Sequence, residues 1–245
     1  SFAAFDAAMT LLGSSSPARE GGKRVLNVYG STLIQLASTY TFAPAITFDF
    51  QLVGHDNAQI YFDGQQAVNS LFLNLESARI EDCLLYGTGT VASDPSTKAR
   101  AIISIESPST GLDADIIFQN CTPVNAQFGC EVKGRGCIFE GGGAGNLDSL
   151  MHIVSVDSST GSEFYTSPDH GMRRYRVGNM DMDAVSTMVS FDNELTSGTA
   201  FINGVNISDC NVLNMGRLFW DRSAAQDVYI MNPVVSGITS VASFR

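Results

Sequence analysis

The sequence predicts an all-β chain, a parallel β-helix preceded by a short helical or extended segment. Three observations predict it. First, a phrase recurs: "ISDCNV" at Ile207 to Val212 returns as "IMNPVV" at Ile230 to Val235, 23 residues later. In each, an apolar residue precedes by two a short side chain carrying a carbonyl or carboxylate (Asp209, Asn232), and a compact residue follows (Cys210, Pro233). Second, variants of the phrase end at Cys83 ("IEDC"), Cys121 ("FQNC") and Met180 ("VGNM"), so the intervals run 38, 59, 30 and 23 residues. A coil of constant minimum length with variable insertions gives such a series, and a fixed-length repeat does not. The 23-residue interval is then the bare coil, and the longer ones hold an insertion or two coils. Third, the intervening segments ("ARIEDCLLYG", "ADIIFQNCTPV", "RYRVGNMDMDAV", "AFINGVNISDCNVL", "GRLFW", "DVYIMNPVV") alternate or are rich in Val, Ile, Phe and Tyr. They are bounded by turn formers, as strands are.

The elements follow in order. Residues 1–22 form an anchor and link. Phe2, Phe5, Met9 and Leu12 fall on one face of a helix, and Gly13 to Gly22 ("GSSSPAREGG") reads as a flexible tether. Such a helix either caps the open end of the β-helix or docks on another protein. The tether favours docking, so the stripe is expected to be buried against another chain. Residues 23–245 form the β-helix. From Ile46 to Arg245 no stretch of twelve residues shows a helical period. "GTGT", "GRG", "GGGAG" (Gly141 to Gly145), "SSTGS" and "TSG" read as turns or loops. In the recurring phrase the apolar residue points inward, so Ile80, Phe118, Val177, Ile207 and Ile230 should stack along one axis. The Asp or Asn sits at a corner, where residues that tolerate a left-handed backbone are needed. The alternative is an antiparallel β-sandwich or jelly roll, which also joins short strands by Gly-rich turns.

Composition narrows the function. The net charge of −11 over 245 residues repels phosphate backbones, so nucleic acid is not an expected partner. No apolar run approaches the ~18 residues of a membrane span, and the opening "SFAAFDAAMTLLG" lacks the basic n-region of a signal peptide. Only 16% of residues are charged, which implies a large interior or surface hidden against partners. Cys83, Cys121, Cys130, Cys137 and Cys210 make an odd count with no close pair. Free thiols in a reducing cytosol fit that pattern better than a disulfide frame or a zinc site. With His55, His152 and His170 far apart, no metal and no cofactor is expected. The N-x-S/T matches at Asn120 and Asn206 read as chance.

The stretch "TYTFAPAITFDFQLVGHDNAQIYFDG" (Thr39 to Gly64), with the corner phrases from Ile80 to Val235, resembles the pectate-lyase-like right-handed β-helices. Among them it resembles those of phage tailspikes and tail fibres. The resemblance covers roughly 200 residues and carries no catalytic signature. It implies a right-handed coil, a parallel homotrimer, and a virion protein folded in the host cytoplasm and displayed on the virion surface. It would be a small tailspike, fibre or capsid decoration protein attached to other virion proteins by its N-terminus, able to bind host polysaccharide. A polysaccharide-degrading hydrolase or lyase is the alternative.

The residues offer few chemical candidates. Enzymes of this shape present paired carboxylates outward, and "LDAD" (Asp113, Asp115) and "MDMD" (Asp181, Asp183) supply such pairs. Residues i and i+2 on a strand lie about 6.5–7 Å apart, near the ~6.5–9.5 Å of inverting glycosidases. Any D-x-D on a strand satisfies this, and solvated outer-face charges are the simpler reading. "HGMRRYR" holds the one dense basic cluster, with Arg173, Arg174 and Arg176 as candidates for an acidic sugar or a subunit contact. Trp220, the single Trp, suits a sugar ring, a subunit interface or a loop over the core.

Overall fold

The computed structural model describes residues 2–14, 22–34, 40–44, 48–62, 71–74, 77–87, 101–106, 116–133, 136–155, 175–193, 201–202, 205–221, 224–225, 228–231, 234–236 and 240–244. Asp113, Asp115, Arg173, Arg174, Asn232 and most of the tether lie outside them, as does the Phe2 side chain.

The described chain is one helix followed by strands, and every ladder is parallel. The helix is α1 (Phe2–Gly13). The strands open with β1 (Lys23–Ile34), β2 (Tyr40–Phe42), β3 (Asp49–Phe62), β4 (Leu71–Asn74), β5 (Ser77–Glu81), β6 (Leu84–Gly87) and β7 (Ala101–Glu106). Two long strands follow, β8 (Ile116–Lys133) and β9 (Cys137–Ser155), then β10 (Tyr175–Gly178), β11 (Asp181–Asn193) and β12 (Phe201–Ile202). The chain closes with β13 (Val205–Ser208), β14 (Asn211–Leu213), β15 (Arg217–Asp221), β16 (Ala224–Ala225), β17 (Val228–Met231), β18 (Val234–Ser236) and β19 (Ser240–Phe244). An antiparallel sandwich or jelly roll needs antiparallel ladders, and the described residues contain none.

Successive passes of the chain lie in register. Leu26, Leu52, Ile80, Phe118, Phe139, Val177, Ile207 and Ile230 occupy successive positions of one column. From Leu52 to Ile207 these side chains are at most 1% exposed. The five residues expected to stack all fall in it. Phe118 and Phe139 lie face to face with centroids 4.3 Å apart, so the column is a dispersion-packed axis for the core.

The corner residues explain the recurring phrase. Asp82, Asn120, Asn179 and Asp209 have φ of 55, 52, 53 and 55°, the left-handed region that Asn and Asp tolerate. The Asn120 amide donates to the Asp82 carboxylate at 3.1 Å. Main-chain bonds carry the ladder past the corner, with Thr122 N–H donating to Cys83 C=O at 2.9 Å. The cysteine after the corner has a role of its own. The thiols of Cys83, Cys121 and Cys210 donate to the carbonyls two residues back, at 3.1, 3.4 and 3.2 Å. All five cysteines are unpaired and buried. Burial first, then neighbouring charge, pushes the Cys83 thiol up to about 12. Burial does the same to Cys121, also to about 12.

Two sequence expectations are corrected. "GGGAG" is no loop: Gly141 to Gly145 lie within β9. Gly141 takes the corner at φ 72°, in register with Asn120, and Gly142 follows in register with Cys121 at φ 83°, where a Cβ would stand 2.3 Å from the Cys121 carbonyl oxygen. Only glycine fits there, which hides the corner phrase. The 59-residue interval is therefore two passes, and the shortest, Phe118 to Phe139, is 21 residues rather than 23.

The second correction concerns the N-terminal stripe. Phe5 is 6% and Met9 0% exposed, and both belong to the chain's own core, with Leu12 packed beside them. Phe5 meets Tyr40 edge-on at 5.2 Å, and the Tyr40 hydroxyl donates to Asp6 at 2.8 Å. Arg24 donates to the carbonyls of Leu12 and Ser14 at the C-terminal end of α1, where a cation offsets the helix dipole. The same guanidinium lies 4.3 Å from the Phe48 ring centroid. The helix packs against β1, the first pass described, and Phe5 and Met9 join the same core cluster. Phe5 and Met9 are thus consumed by capping and are not an attachment surface. Among the described residues no helix is long and apolar enough to cross a membrane.

Candidate functional site

A cleft of about 360 Å³ lies over the third segment of the passes, lined by Gln127, Phe128, Asp148, Ser149, His152, Ser186, Thr187, Ser190, Arg217 and Trp220. These come from four strands, β8, β9, β11 and β15, one rung apart each. Register builds it as two columns. One runs Phe128, Ser149, Thr187, Arg217 and the other Glu131, His152, Ser190, Trp220.

The second column continues to Ser104 and is polar although buried. Ser104, Glu131, His152 and Ser190 are at most 3% exposed. Buried polar groups need partners, and the chain supplies them across rungs. Ser104 Oγ donates to Glu131 at 3.2 Å. His152 Nδ1 and Ser190 Oγ are 2.9 Å apart, Ser190 Oγ donates to Ser149 Oγ at 3.0 Å, and Ser149 Oγ donates to the Met151 carbonyl at 2.9 Å. The direction follows by elimination. A carbonyl only accepts, so Ser149 gives its hydrogen there. Ser190 then gives its own to Ser149, and His152 Nδ1–H must donate to Ser190. A serine poised for attack would instead hand its proton to the imidazole. The relay therefore orients the ring and does not activate Ser190.

The walls are aromatic. Phe128 stacks on His152 with centroids 3.9 Å apart at 13°, and the Arg217 guanidinium lies 5.1 Å from the Trp220 centroid. A shaped concavity with aromatic walls, hydroxyls and a few charges is what small polar ligands bind.

Among the sequence candidates, Trp220 lines this cleft. Asp181 and Asp183 are exposed and do not, and Asp183 accepts from Asn214 at 2.9 Å. Arg176 is exposed and pairs with Glu140 at 3.2 Å. A second cleft, about 330 Å³, is formed by corner residues including Asn57, Asp82 and Asn120. No group of three or more metal-ligating side chains occurs among the described residues. Sequence reasoning missed His152, Ser190, Ser149, Phe128, Arg217 and Asp148.

No family model, curated protein or solved structure matches the chain. The class defined by fold and cleft is thus an all-β, parallel-stranded protein with a polar, aromatic-walled cleft.

Proposed function

We propose that the chain is a right-handed parallel β-helix that binds a host-surface glycan, as a small tailspike, fibre or decoration protein of a phage virion. The single observation that carries the binding half is the cleft, where two aromatic walls flank a floor of hydroxyls. A sugar presents an apolar ring face and a hydroxylated rim, and this cleft matches both. In-register parallel passes turning at Asp and Asn corners support the coil. The five unpaired thiols fit folding in a host cytoplasm, with display on the virion surface afterwards. A parallel homotrimer is the assembly expected for this class. Attachment to other virion proteins draws on surface other than Phe5 and Met9.

Binding is favoured over cleavage. Asp148 is the only carboxylate among the described residues lining the cleft, and glycoside hydrolysis uses two. The test has two arms. Purified bacterial surface polysaccharides are assayed for retention of the wild-type chain and of Trp220→Ala, with release of reducing ends followed in parallel. Particles with and without the protein are imaged for the missing density. Retention lost in the variant, with no reducing ends released, supports the reading. Reducing ends released by the wild type would replace it with the degrading enzyme.

A further inference from the structure

Among the described residues, Arg217 is the one arginine whose guanidinium the chain leaves without an acceptor. Four arginine side chains are described. Arg24 donates to the carbonyls of Leu12 and Ser14, Arg79 to Glu81 and Gln119, and Arg176 pairs with Glu140. Arg217 is half-buried in the cleft, and its contact is with a ring, the Trp220 centroid 5.1 Å away. No ion pair or hydrogen bond joins it to another described residue. A cation–π contact holds the group in place but supplies no lone pair, so its five N–H donors remain for water or a ligand. The chain has 25 acidic residues to 14 basic ones, yet none of the described carboxylates stands at ion-pair distance from this cation.

The two charges lining the cleft are set apart along it. Asp148 precedes Ser149, and Ser149, Thr187 and Arg217 are register partners on successive passes. The strands that carry Asp148 and Arg217 are therefore two spacings apart, about 9.5 Å. Ser186, which is exposed, stands on the pass between them, and Gln127 stands on the pass before Asp148. An anionic group is repelled at the Asp148 end and attracted at the Arg217 end, so the cleft has a direction.

We infer that the ligand of this cleft is a sugar bearing a carboxylate, of the uronate class, with the carboxylate on Arg217 and the ring hydroxyls toward Ser186, Gln127 and Asp148. This rests on the glycan reading above and adds to it the chemical class of the sugar and its polarity in the site. A planar guanidinium offers a carboxylate two parallel N–H donors. Asp148 accepts from a sugar hydroxyl, while Ser186 and Gln127 both donate and accept. A neutral sugar would satisfy the Asp148 end and leave the Arg217 fork to water. The net charge of −11 opposes an acidic ligand only at long range, where salt screens it beyond about 8 Å; the Arg217 contact acts at about 2.8 Å.

The probes are methyl glucuronoside and methyl glucoside, which differ by the carboxylate, and one acidic and one neutral bacterial surface polysaccharide. Equilibrium dialysis measures binding, and emission of Trp220, the only tryptophan, reports a ligand beside Arg217. The wild type should bind the glucuronoside at least about tenfold tighter than the glucoside, the worth of a charge-assisted contact, with a saturable emission change. Arg217→Gln, checked by circular dichroism, should bring the glucuronoside down to the glucoside's affinity and leave the glucoside unchanged, and Arg217→Lys should restore part of the preference. The wild-type comparison decides the sugar class even if Arg217→Gln misfolds. Equal wild-type affinity for both sugars, or preference for the neutral polysaccharide, overturns the uronate assignment and leaves the glycan reading intact. A glucuronoside preference retained in folded Arg217→Gln overturns the role of Arg217. Binding of none of the four probes by the folded wild type overturns both.

Discussion

Met9→Ala tests whether the N-terminal helix is part of this fold or an arm for a partner. Met9 is fully buried and lies with Phe5 in the chain's own core. Truncation removes its thioether arm and leaves a cavity between α1 and the first passes. Core Met→Ala changes cost about 2–5 kcal/mol. Alanine and methionine both favour helix, so the helix itself gains only a few tenths. For a chain of 245 residues, each kcal/mol moves the melting temperature by about 2–4 °C, so the expected loss is about 4–20 °C. Leu11→Ala, on the same helix but 73% exposed, is the control and should stay within about 0.5 kcal/mol. Far-UV circular dichroism melts measure both. A Met9→Ala melt that overlays the wild type would refute the capping argument, as would an equal loss in Leu11→Ala. A chain begun at Gly22 extends the test: capping predicts a lower melting temperature or aggregation, and an unchanged melt would restore the reading of a free anchor.

The remaining predictions are local. Ala184 holds a left-handed backbone at φ 55°, which costs a residue with a Cβ about 1–2 kcal/mol; Ala184→Asn should raise the melting temperature by about 2–4 °C per kcal/mol recovered, and a lower melt would show that the site has no room for an amide. The Cys83 and Cys121 thiols, both pushed up to about 12 by burial first, favour the protonated native state. Their contribution is complete below the ordinary thiol value of about 8.5 and is lost as pH rises toward 12, so the urea midpoint should fall above about pH 9, whereas a flat or rising profile there would contradict the burial. Asp183→Asn removes a charge but keeps an amide oxygen to accept from Asn214; stability should change by less than about 0.5 kcal/mol and polysaccharide retention not at all, and loss of retention would return the outer carboxylates to candidacy.

Much of the fold was legible because its strictest requirement falls on backbone conformation, and conformation selects residue type. Asp82, Asn120, Asn179 and Asp209 announce the corner, since few other residues sit at φ near 55° without strain. Where glycine meets the same need the phrase disappears, as at Gly141, and one pass is lost from the count. A second corner, at Asn125, Asn146, Ala184 and Asn214 (φ 60, 51, 55 and 50°), was not legible. The residues that follow share no type (Ala126, Leu147, Val185 and Met215), and Ala184 breaks the Asn series. The helix was legible as a stripe but its partner was not: an apolar face states that it will be covered, and the covering surface exists only once the first pass has been laid down.

The cleft is assembled from one residue per pass, so no local motif could reveal it. A single histidine or serine between insertions of unrelated length has no recognisable spacing. Yet the spacing is there in the corner phrases. Cys121, Met180 and Cys210 are separated by 59 and 30 residues, and so are Glu131, Ser190 and Trp220. The phrase intervals are the offsets between passes, and any residue carried along them meets its neighbours in the column, provided no insertion falls between corner and target. The pass from Cys83 to Cys121 shows the proviso. The 38-residue offset would align Ser93 with Glu131, but the sheet pairs Ser104 there, because eleven extra residues lie between that corner and that rung. Corner intervals thus locate partners only for columns on the corner's side of an insertion. In this chain the two passes that lead from Glu131 to Ser190, and the one from Ser190 to Trp220, place no extra residues between corner and cleft. That is why a buried polar column and the aromatic on its rim can face one another across segments of such different length.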